Sequence, residues 1–153
     1  MRRSLILVAL ILGFGGCDSD TSPGGSTTST TPPDPAEPKT AVFRVAVVPS
    51  SSYPDGTVVF LINGEQEAEL TLTRGETYIF EMADTPEQHP FHLSTSSTGG
   101  DGGANAWLDG VTGNFASGNE ILTFVVPTEA PDLLYYQCSN HELMGWRINI
   151  VSL

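Results

Sequence analysis

The chain has 153 residues, with six basic side chains against eighteen acidic ones and a formal charge of −12. That length suits one folded domain rather than two. The charge argues against nucleic acid, which needs basic patches, and against electrostatic attraction to anionic lipid, while permitting steering toward a basic partner.

Residues 1–16 read as a secretory signal. Arg2 and Arg3 precede the apolar run "LILVALIL", and "GFGG" follows. A charged start, a short apolar centre and small residues make such a signal, and the run is too short to span a bilayer. Small residues directly before Cys17 resemble the lipobox of bacterial lipoproteins, in which the cysteine is diacylated and becomes the mature N-terminus. Phe14 departs from the leucine usual three places before that cysteine, so ordinary signal-peptidase cleavage is the competing reading. A free thiol, or a disulfide to Cys138, is the plain alternative for Cys17. Removal of Arg2 and Arg3 would leave four basic residues against eighteen acidic ones, a balance of −14.

Residues 17–40 form the expected tether. "DSDTSPGGSTTSTTPPDPAEPKT" has almost nothing apolar to bury, the composition of a disordered linker. A flexible chain of that length reaches roughly 25 Å, enough to hold a domain just off a membrane.

From residue 41 to 153 the pattern turns β-rich with period two. "AVFRVAVV", "TVVFLIN", "EAELTLT", "TYIFEM", "HPFHLS", "EILTFVV", "LLYYQC" and "RINIVSL" each read as a strand between Gly, Pro, Asn, Asp or Ser punctuation. No stretch has convincing helical amphipathicity. Seven or eight short strands in about 110 residues predict an all-β sandwich. "TRGETY" is a turn around Gly75, and "STSSTGGDGGANAWLDGVTGN" is a long glycine-rich excursion, expected to be irregular.

"YYQCSNHELMGW" places Cys138, His141 and Met144 within seven residues. Leu134, Tyr136 and Cys138 share one strand face, so a core-facing strand aims the thiol inward at its last residue. The chain then turns, and "RINIV" resumes a strand. Thiolate and thioether suit Cu(I), and imidazole suits both copper oxidation states. A trigonal site of two His and one Cys with a weak axial Met needs one more histidine. His89 alternates with the apolar Phe91 and Leu93; His92 alternates with Pro90 and Ser94 and is expected to face solvent. His89 is therefore the favoured ligand, although Pro90 could bend the strand. Each residue also has a bland reading: Cys138 an inert buried thiol, His141 a turn residue, Met144 a core filler. Asp101, Asn105 and Asp109 do not have calcium-loop spacing. Trp146, next to the Met144 loop, is a candidate for the apolar mouth of the site.

"TRGETYIF", "HPFHL" and "YYQCSNHELMGWRINI" together resemble the cupredoxin (type 1 blue copper) family over most of residues 41–153. The short Cys-x2-His-x2-Met loop is similar to that of its amicyanin-like members rather than to the longer plastocyanin-like loop. The resemblance implies a Greek-key sandwich and one mononuclear copper held by His89, Cys138, His141 and Met144. It also implies His141 as the electron exit. Two positions depart from the pattern. Pro90 stands where an asparagine commonly braces the Cys loop, and "CSNHELM" has Glu142 and no proline.

The expected function is single-electron transfer between redox partners in a bacterial cell envelope. The protein would be lipid-anchored and face the periplasm or exterior. "HPFHL" also resembles a multicopper-oxidase motif, but Ser94 stands where that motif has another histidine. The three histidines of the chain are too few for a trinuclear cluster. No Ser-His-Asp order, P-loop or zinc-hydrolase signature is present, so an enzyme is not expected. A copper carrier or sensor, or a metal-free interaction module, remain the alternatives.

Overall fold

The computed structural model describes residues 38–53 and 55–153. The expected signal segment, the lipidated Cys17 and the tether up to residue 37 lie outside the described residues. Two-residue periodicity builds the sheets. In β5 (Thr77–Met82), Tyr78, Phe80 and Met82 are buried while the residues between them are half-buried. In β9 (Leu133–Cys138), Leu134, Tyr136 and Cys138 have no exposed surface. The same alternation buries Leu70 and Leu72 of β4 (Leu70–Thr73) and Ile148 and Ile150 of β10 (Trp146–Val151). Successive side chains on a pleated strand point to opposite faces, so each strand presents one apolar row to the core.

Two mixed sheets result, and the fold is all-β, as expected. β1 (Thr40–Pro49) lies between β2 (Val58–Ile62) and β5, antiparallel to the first and parallel to the second. β3 (Glu65–Gln66) extends that sheet beyond β2. On the other side come β8 (Ile121–Val125) and β7 (Val111–Thr112), giving the order β3-β2-β1-β5-β8-β7. The second sheet runs β4-β10-β9-β6, with β6 (Phe91–Ser94) at its edge. The eight longer strands are those expected. The two-residue β3 and β7 are additional. Among the described residues no helix is long and apolar enough to cross a membrane.

Phe91 joins the layers. Its ring stacks on Tyr136 of its own sheet at 5.7 Å. It also meets two rings of the facing sheet, Phe60 edge-on at 5.1 Å and Phe80 at 5.3 Å. Aromatic pairs of this kind contribute about 0.5–1.5 kcal/mol each beyond area burial. Phe91 is also paired directly across from Cys138. This aromatic cluster therefore lies directly beside the end of the sandwich that carries the candidate ligands.

Two glycines are required by the backbone, one at each end. Gly75, at a left-handed φ of 83°, makes the turn between β4 and β5 at the end away from the candidate ligands. Gly145 lies so close to the Tyr136 carbonyl that any β-carbon there would collide with it. Only glycine lets the ligand loop return into β10 at that spot.

Candidate metal centre

Cys138 ends β9, and its thiol has no exposed surface. Three residues on, the chain has turned and brought His141 back: its Nδ1 lies 3.5 Å from the Cys138 sulfur. His89 approaches from the turn before β6, with Nδ1 3.9 Å from the same sulfur. That turn is closed by the His89 N–H donating to the Pro86 carbonyl. The two imidazole rings sit 4.6 Å apart. One donor atom from each of His89, Cys138 and His141 lies within 4.8 Å of the others. Met144 is 2% exposed and lines the same cavity as His89 and His141. The structure thus brings His89, Cys138, His141 and Met144 to one end of the sandwich, with His89 in the turn before β6 rather than on the strand that the parity reading assumes.

The loop carrying three of these donors is held on two sides. The Met144 carbonyl accepts from the Phe60 N–H of β2 at 3.1 Å. From the glycine-rich excursion, the Gly100 N–H donates to the Cys138 carbonyl and the Gly102 N–H to the Ser139 carbonyl. In return the Leu143 N–H donates to the Thr98 carbonyl. Gly99 and Gly100 adopt left-handed φ values of 73° and 68°, and a β-carbon on either would strike the 137–142 segment. The excursion is irregular apart from the two-residue β7, and it acts as a strap over the ligand loop. No sequence signal pointed to this contact.

Electrostatics favour the neutral forms of Cys138 and His89 in the metal-free protein. Burial pushes the Cys138 thiol up, against the pull of the Asn140 and His141 backbone N–H groups. Burial, reinforced by the charge of His141, pushes His89 below the ordinary imidazole value. A soft cation would replace the thiol proton, because the thiolate and not the thiol is the ligand. Two imidazoles, a thiolate and a thioether suit copper, and the cluster fits a type 1 copper site.

Two expectations need correction. His92 does point away from the ligand face, but it does not reach solvent: it has no exposed surface. The excursion covers the outer face of β6, and the Phe115 ring stacks on the imidazole at 5.2 Å. Neither ring nitrogen of His92 has a hydrogen-bond partner among the described residues. Trp146, in turn, does not line the opening that holds His89 and His141. It borders a separate cavity with Tyr53, Tyr135, Leu143 and Arg147. The opening is bordered instead by Gly56, Thr57, Val58, Asn140 and Glu142, a mixed polar and apolar rim. Asp101 serves its own loop, accepting from the Gly103 and Asn105 N–H groups.

No family model matches the chain, and no curated protein matches it. Solved structures do. Rusticyanin from Thiobacillus ferrooxidans is similar at 18% identity and a TM-score of 0.49, over 74% of this chain and 78% of that one. A multicopper oxidase from Pseudomonas thermotolerans is similar at 15% identity and a TM-score of 0.43, over 74% of this chain. A multicopper oxidase from Campylobacter jejuni, described as a metallo-oxidase, is similar at 12% identity and a TM-score of 0.44, again over 74% of this chain. This chain spans 29% and 26% of those two oxidases.

The buried His92 carries a pH dependence. Burial pushes its pKa down, offset in part by the Asp101 carboxylate and the Gln137 backbone. A depressed folded-state value means that the unfolded chain binds the proton more readily. The contribution to stability is complete above the unfolded value of about 6.5 and is lost as pH falls below it. His89, depressed in the same direction, adds to this in the metal-free protein. Denaturant unfolding of the metal-free domain between pH 7.5 and 5 should show falling stability, with a shallower fall in His92→Phe. Equal slopes for variant and wild type would contradict this account of His92.

Proposed function

We propose that the chain is a cupredoxin-type mononuclear copper protein that carries single electrons between redox partners in a bacterial envelope. The observation that carries this reading is the convergence of His89, Cys138 and His141 on one point, beside the buried Met144. Bound copper would supply a one-electron couple between Cu(I) and Cu(II). Cys138 would be the thiolate donor, His89 and His141 the imidazole donors, and Met144 a thioether donor that tunes the potential. The strap and the Phe60 bond fix the loop before any metal arrives. Such preorganisation keeps the ligands in place in both oxidation states. Of the ligands, only His141 is exposed, which makes its ring edge the route for an electron to leave.

Metal delivery fits the site less well. Hand-over by ligand exchange needs an accessible sulfur, whereas both Cys138 and Met144 are buried. The rim and the overall charge favour a basic partner: Glu142 borders the opening beside His141, and the chain carries −12. Tethering through a diacylated Cys17 completes the proposal. It rests on the sequence around that cysteine.

Copper(II) titration of residues 38–153 should saturate at one equivalent, with an intense thiolate-to-copper charge-transfer band and a reversible one-electron wave. Cys138→Ala should abolish the band, and His89→Ala should collapse it or open the site to added ligands. His92→Phe should leave it nearly intact. Binding of zinc alone, or of no metal, would overturn the electron-transfer reading. For the anchor, mass spectrometry of the full-length protein from a bacterial host should find Cys17 diacylated at the N-terminus, and Cys17→Ser should release the protein from membranes. A soluble, unlipidated wild-type protein would contradict the tether.

A further inference from the structure

The two segments that bring the ligands together are joined at the site by few bonds, and only one of these uses a side chain that could be exchanged. His89 lies between two carbonyls, those of Gln88 and Pro90. Both accept from the Cys138 loop. The Ser139 N–H donates to the Pro90 carbonyl at 3.1 Å, and the Asn140 side-chain amide donates to the Gln88 carbonyl at 3.0 Å. Pro90 itself has no N–H to offer in return. The orientation of the Asn140 amide follows from chemistry: a carbonyl only accepts, so the NH2 group must face Gln88. Its oxygen then faces the Ser139 hydroxyl, which donates to it at 3.2 Å.

Resting on the copper reading above, we propose that Asn140 is a positioning residue for the metal centre. It holds the His89 imidazole at its distance from the Cys138 sulfur. The Ser139 backbone bond ties the Pro90 side of His89 to the ligand loop. The Asn140 amide ties the Gln88 side to it. Because Asn140 is exposed, its bond to Gln88 contributes little to global stability. Its effect is confined to where one ligand sits relative to another, and groups that orient ligands in this way change metal affinity by about 10–100-fold when removed.

The test compares wild type with Asn140→Ala and Asn140→Asp. Asp keeps the size of the side chain but turns an acceptor toward the Gln88 carbonyl, so it should do at least as much harm as Ala. In both variants, copper affinity measured against a chelator should fall by about 10-fold. The Cu(II) EPR hyperfine splitting should shift, while the thermal midpoint of the metal-free protein stays near that of wild type. In metal-free protein, NMR resonances of the His89 ring should broaden or move in the variants. Unchanged affinity, EPR and His89 resonances would overturn the proposal. A large drop in thermal midpoint would reassign Asn140 to stability alone. If wild type binds no copper, the copper reading fails by itself, and the His89 resonances still decide whether Asn140 positions that ring.

Discussion

The pairing of Phe91 with Cys138 across β6 and β9 is the constraint on which the site depends. One register places a large ring in the middle of the core and a thiol at the end of the same face. His89 stands two residues before Phe91, so the pairing that buries the ring also brings His89 to the thiol. A slip of one residue would turn every side chain of β6 to the opposite face. Phe91 would leave Phe60, Phe80 and Tyr136, and the loss of a buried phenylalanine's packing costs roughly 3–5 kcal/mol. The packing of the sandwich and the approach of His89 to the thiol thus rest on one strand register.

The rest of the end is built to keep that geometry. The ligand loop is short, turns sharply and must carry three donors, one of which, His141, is exposed. Backbone bonds from Thr98, Gly100 and Gly102 cover it on one side, and the Phe60 bond to Met144 holds the other. The glycines of the excursion permit this approach because a β-carbon at residue 99 or 100 would meet the loop itself. The same excursion lays Phe115 over His92 at a left-handed φ of 69°, an uncommon conformation for a bulky residue. A buried imidazole without partners is a cost, and it sits beneath the strap that secures the ligand loop. The fold accepts it where β6 would otherwise present an open edge and an exposed outer face.

Much of this was legible in the residues. Alternation located all eight longer strands, because each has one row facing a common core. Parity places His92 on the face opposite Phe91 and Leu93, as the strand has it, whereas His89 stands in the turn before β6, where alternation no longer applies. Parity failed at the next step, since it tells which face a residue is on and not whether something covers that face. The cover comes from residues 95–118, whose glycine-rich composition carries no period. β3 was missed although Asn63 and Gly64, at φ values of 51° and 88°, form the tight hairpin that such a pair favours. The apolar run before it ends at Asn63, and the two residues of β3 leave no alternation to detect. β7 is two residues long and has no room for alternation. Trp146 was placed at the mouth by its nearness to Met144 in the chain, but Gly145 turns the backbone between them. The role of Asn140 depends on a carbonyl 52 residues away, and no local pattern announces such a partner.

The central claim is that one thiol and two imidazoles stand ready around a single point, and that the thiol, on giving up its proton, and the imidazoles hold a metal there without rearranging. X-ray absorption at the copper edge, recorded on one sample in its oxidised and then its reduced state, measures this directly. The account predicts one short copper–sulfur bond and two copper–nitrogen bonds in both states, with the same ligands and nearly the same distances. A spectrum with no short sulfur scatterer, or one that loses a nitrogen ligand on reduction, would contradict it.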